Sequence, residues 1–158
     1  MFDTITNLPW HPLVVHAVIV LLPLACLGAV LVAVRADWNR LHGFLVLASA
    51  FVATGAAFVA KESGEKLASR VGYPADHADI AKWTPVFAGL LFVAVAALWW
   101  WDRTQVDGRA TLTKVAAVAS VVLALVALGW VIAAGHSGAT AVWGKTIENT
   151  TPGTFPVP

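Results

Sequence analysis

The sequence predicts an all-α integral membrane protein, a four-helix bundle with both termini on the same side of the bilayer. Of its 158 residues, 59% are hydrophobic and only 12% are charged, which is far from the balance of a soluble domain. Four uncharged apolar runs follow one another, and each approaches the roughly 20 residues that a helix needs to cross about 30 Å of hydrocarbon. An even number of spans returns the chain to the side on which it starts.

The four predicted helices cover residues 12–34, 43–66, 78–101 and 111–135. Pro12 suits the first turn of the first helix, where the N–H that a proline lacks would have no partner. Pro23 lies inside the same run and predicts a kink. Two Lys/Glu pairs spaced four residues apart predict that the second helix continues past the membrane. Asp76 and Asp79 favour the start of the third helix.

Residues 1–143 form a single predicted domain, and residues 144–158, which are rich in Thr, Gly and Pro, predict an extended or mobile tail. Tryptophans cluster at the ends of the runs, as in an aromatic belt at the headgroup level. The two short loops carry five Lys and Arg residues at high density, which predicts that they are cytoplasmic and that both termini face outward. We expect no internal repeat.

The distribution of charged and reactive residues excludes several functions. A net charge of +1 with scattered Lys and Arg argues against nucleic-acid binding. Cys26 is the one cysteine, which excludes an intrachain disulfide and a thiolate metal site. The middle of every run lacks Asp, Glu, Lys and Arg, which disfavours a proton-coupled transporter. An electron-transfer or accessory protein of the membrane is therefore favoured over an enzyme.

Four of the five histidines are predicted to share one face of the bundle. His11 and His16 stand at the start of the first helix, His77 precedes the third, and His136 follows the fourth. His42 lies at the opposite face, because a helix of about 18 residues spans nearly 30 Å. His16 falls about one turn inside the hydrocarbon, where an imidazole must be neutral and hydrogen-bonded or serve a site.

The first hypothesis is that two imidazoles from different helices ligate one b-type haem near the outer face. Such a site needs facing helices, imidazole ligands, small residues that admit the macrocycle, and an apolar shell. His16, paired with either His77 or His136, is the predicted ligand set. Gly135 and Gly138 beside His136 leave room for a flat ring.

Two other interpretations remain open. Three or four imidazoles could instead hold zinc or copper. The candidate ligands for such an ion are His11, His16, His77 and His136. The chain could also be a cofactor-free accessory subunit of a larger membrane complex. In the redox interpretations, the nearby Glu62 and Glu65 would tune the potential or proton uptake from outside the coordination sphere.

Three segments resemble an uncharacterised bacterial membrane family known as domain of unknown function 2231. They are residues 11–16 (HPLVVH), His77, and residues 135–139 (GHSGA) followed by Val142 and Trp143. The resemblance implies a four-helix protein of the inner membrane, joined in some relatives to a Rieske-type iron–sulfur domain. That association favours haem over a bare ion. The resulting prediction is a membrane redox protein that transfers electrons to quinone or to a Rieske-type or other respiratory partner.

Overall fold

The computed structural model describes residues 4–6, 8–105, 108–151 and 153. Two short strands, β1 (Thr4–Ile5) and β2 (Leu8–Pro9), pair antiparallel ahead of the helices. The helices are α1 (Trp10–Val34), α2 (Ala36–Val71), α3 (Ala75–Ala81), α4 (Thr84–Asp102) and α5 (Thr111–Glu148). Four segments are long and apolar enough to cross a membrane: α1, α2, α3 together with α4, and α5. The predicted all-α four-helix bundle is confirmed.

The four long helices form a ring in which α1 and α4 each pack against both α2 and α5, and α3 lies on α5. The centre of the bundle contains Leu22, Leu91 and Val95, which are almost fully buried. From α2 and α5 it receives mainly alanines, so the backbones of these helices can approach their neighbours closely. Many large apolar side chains lie on the outside, as expected for a surface in contact with lipid.

The helix ends differ from the prediction, most of all in α2 and α5, which end at Val71 and Glu148 rather than at residues 66 and 135. The connection between α1 and α2 is Arg35 alone, because the polar residues after it continue the helix. The third span is divided at residues 82–83, since Pro85 lacks an N–H and occupies the first turn of a new helix. Residues 144–148 of the predicted tail are helical. The rest of that tail includes residues 152 and 154–158, which lie outside the described residues.

A buried ion pair ties the helix ends together at the face opposite His11. Arg109 Nη2 lies 2.6 Å from Asp102 Oδ2, and the two side chains are only 12% and 3% exposed. The same guanidinium donates to the carbonyls of Val32 (2.8 Å) and Ala33 at the end of α1. Asn39 Nδ2 on α2 donates to Asp102 Oδ2 at 2.7 Å. Arg109 therefore caps carbonyls that α1 leaves without partners, and places a cation at the negative end of that helix.

Candidate histidine site

Two histidines from different helices meet at the face where the chain begins. The ring centres of His11 on α1 and His77 on α3 are 6.4 Å apart, with an angle of 68° between the ring planes. Both side chains are half-buried. Each ring lies against a glycine of a neighbouring long helix, His11 against Gly64 of α2 and His77 against Gly138 of α5. The imidazole pair therefore joins α2 to α5, which do not adjoin one another in the helix ring.

The proton on His11 is assigned by its hydrogen-bond partner. Nδ1 lies 2.8 Å from the carbonyl oxygen of Ala60 on α2. A carbonyl can only accept, so Nδ1 carries the proton and donates it. When the ring is neutral, its Nε2 has a free lone pair, which is the form of histidine that binds a metal.

His77 has the same protonation for a related reason. Its Nδ1 lies 3.1 Å from Ser137 Oγ, and that hydroxyl donates to the carbonyl of Ala134 at 3.0 Å. With the one hydroxyl proton of Ser137 assigned to the carbonyl of Ala134, Nδ1 of His77 is assigned as the donor. Nε2 of His77 therefore also has a free lone pair. The two half-buried rings thus have equivalent chemistry.

His16 and His136 are both exposed on the outside of the bundle. His16 stands five residues after His11, about 140° further round the helix. Its Nδ1 donates to the carbonyl of Pro12, which satisfies the ring locally. His16 and His136, which the sequence suggested as ligands, therefore take no part in the half-buried pair of His11 and His77. His42 lies at the other face, where its ring packs edge-on against Trp38.

The predicted carboxylates lie on the surface of α2 and bind a lysine. Lys61 Nζ is 2.7 Å from Glu65 and 3.4 Å from Glu62, and both carboxylates are more than half exposed. Within the described ranges, no three His, Cys, Asp or Glu side chains are grouped closely enough to hold an ion. The metal site with three or four histidines is therefore not assembled by these residues.

Sequence reasoning missed Gly64, the Ala60 carbonyl and Ser137, which hold the two rings in place. The sequence does contain a signal for these residues, because α2 and α5 each have an Ala followed three residues later by Ser-Gly. Gly138 was expected to admit a flat ring beside His136. It does contact a flat ring, but that ring is the imidazole of His77.

The sequence profile of DUF2231, described as a predicted membrane protein, matches residues 7–151. The chain belongs to the DUF2231 family. The matched region of this DUF2231 protein contains both histidines of the pair and all five helices. No curated protein and no solved structure matches the chain.

Proposed function

We propose that this DUF2231 protein binds a redox-active metal centre through Nε2 of His11 and Nε2 of His77. The iron of one b-type haem is the centre that suits the pair best. The observation that carries the proposal is the pair itself: two imidazoles from separate helices, each with its Nδ1 proton donated to the protein, at a ring-centre distance of 6.4 Å. Histidine ligands of metals characteristically donate the second ring N–H in this way.

The distance between the rings is compatible with one shared metal. Metal–nitrogen bonds of about 2.0–2.1 Å place the centres of two ligating imidazoles roughly 5–6.5 Å apart, depending on the angle at the metal. The observed 6.4 Å lies within that range, so His11 and His77 would be able to hold one metal centre between them.

The number of ligands favours haem. A haem iron takes its remaining four ligands from the porphyrin, so that two imidazoles complete the coordination. When bound, the group supplies one-electron chemistry. This chain would contribute the two nitrogens and the acceptors that fix both rings. Glu62 and Glu65 on the adjacent surface of α2 would lower the potential by stabilising the oxidised, more positive centre.

A bare zinc or copper ion is the second candidate, because the same free Nε2 lone pairs would bind it. Such an ion needs further ligands from water or from a partner. For either centre, we place the protein in the bacterial inner membrane with the histidine end outward. A quinone or a Rieske-type or other respiratory redox protein would be the electron partner.

The test is a visible absorption spectrum of the detergent-purified full chain, titrated with haem where none co-purifies. We expect a Soret band and a reduced-minus-oxidised α-band that are lost in His11→Ala and in His77→Ala. The outward-facing His16→Ala and His136→Ala serve as matched controls and should keep the spectrum.

Three other outcomes would overturn the haem proposal. A spectrum that survives both His11→Ala and His77→Ala would show that the pair is not the ligand set. A colourless protein with stoichiometric zinc or copper by elemental analysis would establish the second candidate. A protein that stays colourless and metal-free after titration would be the accessory subunit considered from the sequence.

A further inference from the structure

The first half of the chain, which ends with α2, and the second half, which ends with α5, contain the same sequence pattern at the histidine end of the bundle. The motif Ala-x-Gly-x-x-x-x-Ala-x-x-Ser-Gly occurs at residues 53–64 of α2 and again at residues 127–138 of α5, 74 residues later when Ser63 is compared with Ser137. A Trp-x-Pro triplet likewise begins both α1, at residues 10–12, and the α4 segment, at residues 83–85. The first triplet starts at the first residue of α1, and the second starts one residue before α4, 73 positions later.

Burial follows the same repeat. Each buried residue of α2 has a counterpart 74 positions later that is buried or half-buried. The α2 residues are Asn39, Gly43, Ala50, Ala53, Ala57, Ala60 and Ser63, and their α5 counterparts are Thr113, Ala117, Ala124, Ala127, Val131, Ala134 and Ser137. The expectation of no internal repeat is therefore wrong. The repeat is hard to recognise in the sequence, because all four spans have a similar apolar composition. Burial reveals it, because burial shows which residues of each helix face the interior of the bundle.

Each half also holds one imidazole in the same way. In the first half, the His11 ring lies on Gly64 and donates to the carbonyl of Ala60. In the second half, the His77 ring lies on Gly138 and donates to Ser137, whose hydroxyl passes the hydrogen bond to Ala134. The supporting Ala and Gly occupy equivalent positions of the motif. The Ser differs, because Ser137 contacts His77 whereas Ser63 donates to backbone carbonyls, and His11 and His77 come from non-equivalent segments.

We propose that the ligand site consists of two half-sites, one from each repeat, with Gly64 and Gly138 as the residues that position the rings. The bound centre lies between the halves and takes one Nε2 from each. The identity of the ligand rests on the proposed function, whereas the two half-sites are properties of the ligand-free chain.

The glycines matter because a methyl group would occupy the space of each ring. A Cβ at Gly64 would lie 2.9 Å from His11 Cε1, and a Cβ at Gly138 would lie 3.1 Å from His77 Cε1. Either substitution therefore forces the ring to shift from its present position. The motif also contains a second pair of glycines, Gly55 and Gly129, where a Cβ would meet nothing within 4 Å. These provide matched controls in the same helices.

The experiment reads the ring tautomers in the ligand-free, full-length protein by long-range ¹H–¹⁵N NMR of labelled histidine in detergent. Gly64→Ala should remove the Nδ1–H tautomer preference of His11 alone, and Gly138→Ala that of His77 alone. Each should also weaken haem binding by about 10- to 100-fold, the usual effect of losing support for a ligand. Gly55→Ala and Gly129→Ala should change neither measurement.

Fixed tautomers and unchanged haem affinity in Gly64→Ala and Gly138→Ala would overturn the half-site proposal, even if His11 and His77 remain the ligands. Conversely, the expected NMR changes in a protein that binds neither haem nor metal would refute the function and leave the half-sites standing. If either glycine variant fails to fold, Ser137→Ala provides a second test. It should disturb His77, while Ser63→Ala, whose hydroxyl donates to Val59 and Ala60, should leave His11 unchanged.

Discussion

Arg109 and Asp102 lie at the two ends of a loop, yet both are largely buried by other helices. The guanidinium makes contacts with the carboxylate through Nε as well as Nη2, at 2.6–3.1 Å. From the sequence, Arg109 counts only as one of the five Lys and Arg residues that orient the chain, and nothing singles out Asp102. Their contacts with α1 and α2 depend on how the helices pack, so their structural role emerges only from the fold.

At the residue scale, we predict that Asp102→Ala lowers the free energy of unfolding by about 3–5 kcal/mol. The reason is that Arg109 would remain buried without its counter-ion. Unfolding in detergent, followed by circular dichroism, measures the effect. Asp79→Ala is the control, because Asp79 is 69% exposed and its pair with Lys82 lies on the surface. Equal losses in the two variants would show that burial of the Asp102 pair is unimportant.

At the scale of the element, α3 is a seven-residue helix that places His77 and relies on α5 for its position. The indole Nε1 of Trp130 donates to the carbonyl of Ile80 at 2.8 Å, and the Trp130 ring packs on Phe87 with centres 4.8 Å apart. A helix of two turns is unstable by itself. The hydrogen bond from Trp130 therefore contributes directly to the geometry of the histidine pair.

We predict that Trp130→Phe increases hydrogen exchange across Ala75–Ala81 while the amides of α1 keep their protection. The phenyl ring retains most of the packing but cannot donate to Ile80, and the loss of one such bond costs about 0.5–1.5 kcal/mol. Exchange measured by mass spectrometry reports the change. Trp143→Phe on the same helix is the control, because Trp143 is 61% exposed. Unchanged exchange in α3 would mean that its other contacts suffice to hold it.

Two helices are far longer than the membrane requires. The 36 residues of α2 and the 38 residues of α5 extend about 54 and 57 Å, against about 30 Å of hydrocarbon. Apolar runs locate the part of a helix that crosses lipid, because charged residues are excluded there. They do not locate the helix ends, since polar residues continue a helix in water as well. The early ends predicted for α2 and α5 have this cause.

At the scale of the whole molecule, the orientation in the membrane stays a prediction that labelling can test. We expect Thr151→Cys to react with a membrane-impermeant maleimide in intact cells, and Thr104→Cys to react only after lysis. The density of Lys and Arg in the short loops is the physical basis. The unsubstituted chain is the control, because Cys26 is buried in the bundle. Labelling of Thr104→Cys in intact cells would reverse the orientation.

The sequence sufficed for the fold and for part of the site. Composition and run length determine the four spans, and connectivity alone assigns His11 and His77 to one face, because both precede helices that start there. The length of a helix is enough to exclude His42 from that face, because one membrane span separates His42 from the other histidines. The same reasoning preferred His16 as a ligand, since depth in the membrane can be counted along the chain but the direction of a side chain cannot.

The sequence by itself therefore determined that the helices lie in lipid, how many spans there are, and on which face the histidines lie. Each of these follows from composition or from counting along the chain. Only the tertiary structure decided which imidazoles meet. The rotation of each helix is set by side-chain packing against its neighbours, here by glycines at positions 64 and 138 that admit a ring and by the Arg109 contacts at the opposite end. That rotation turns His11 and His77 toward one another and leaves His16 and His136 outside.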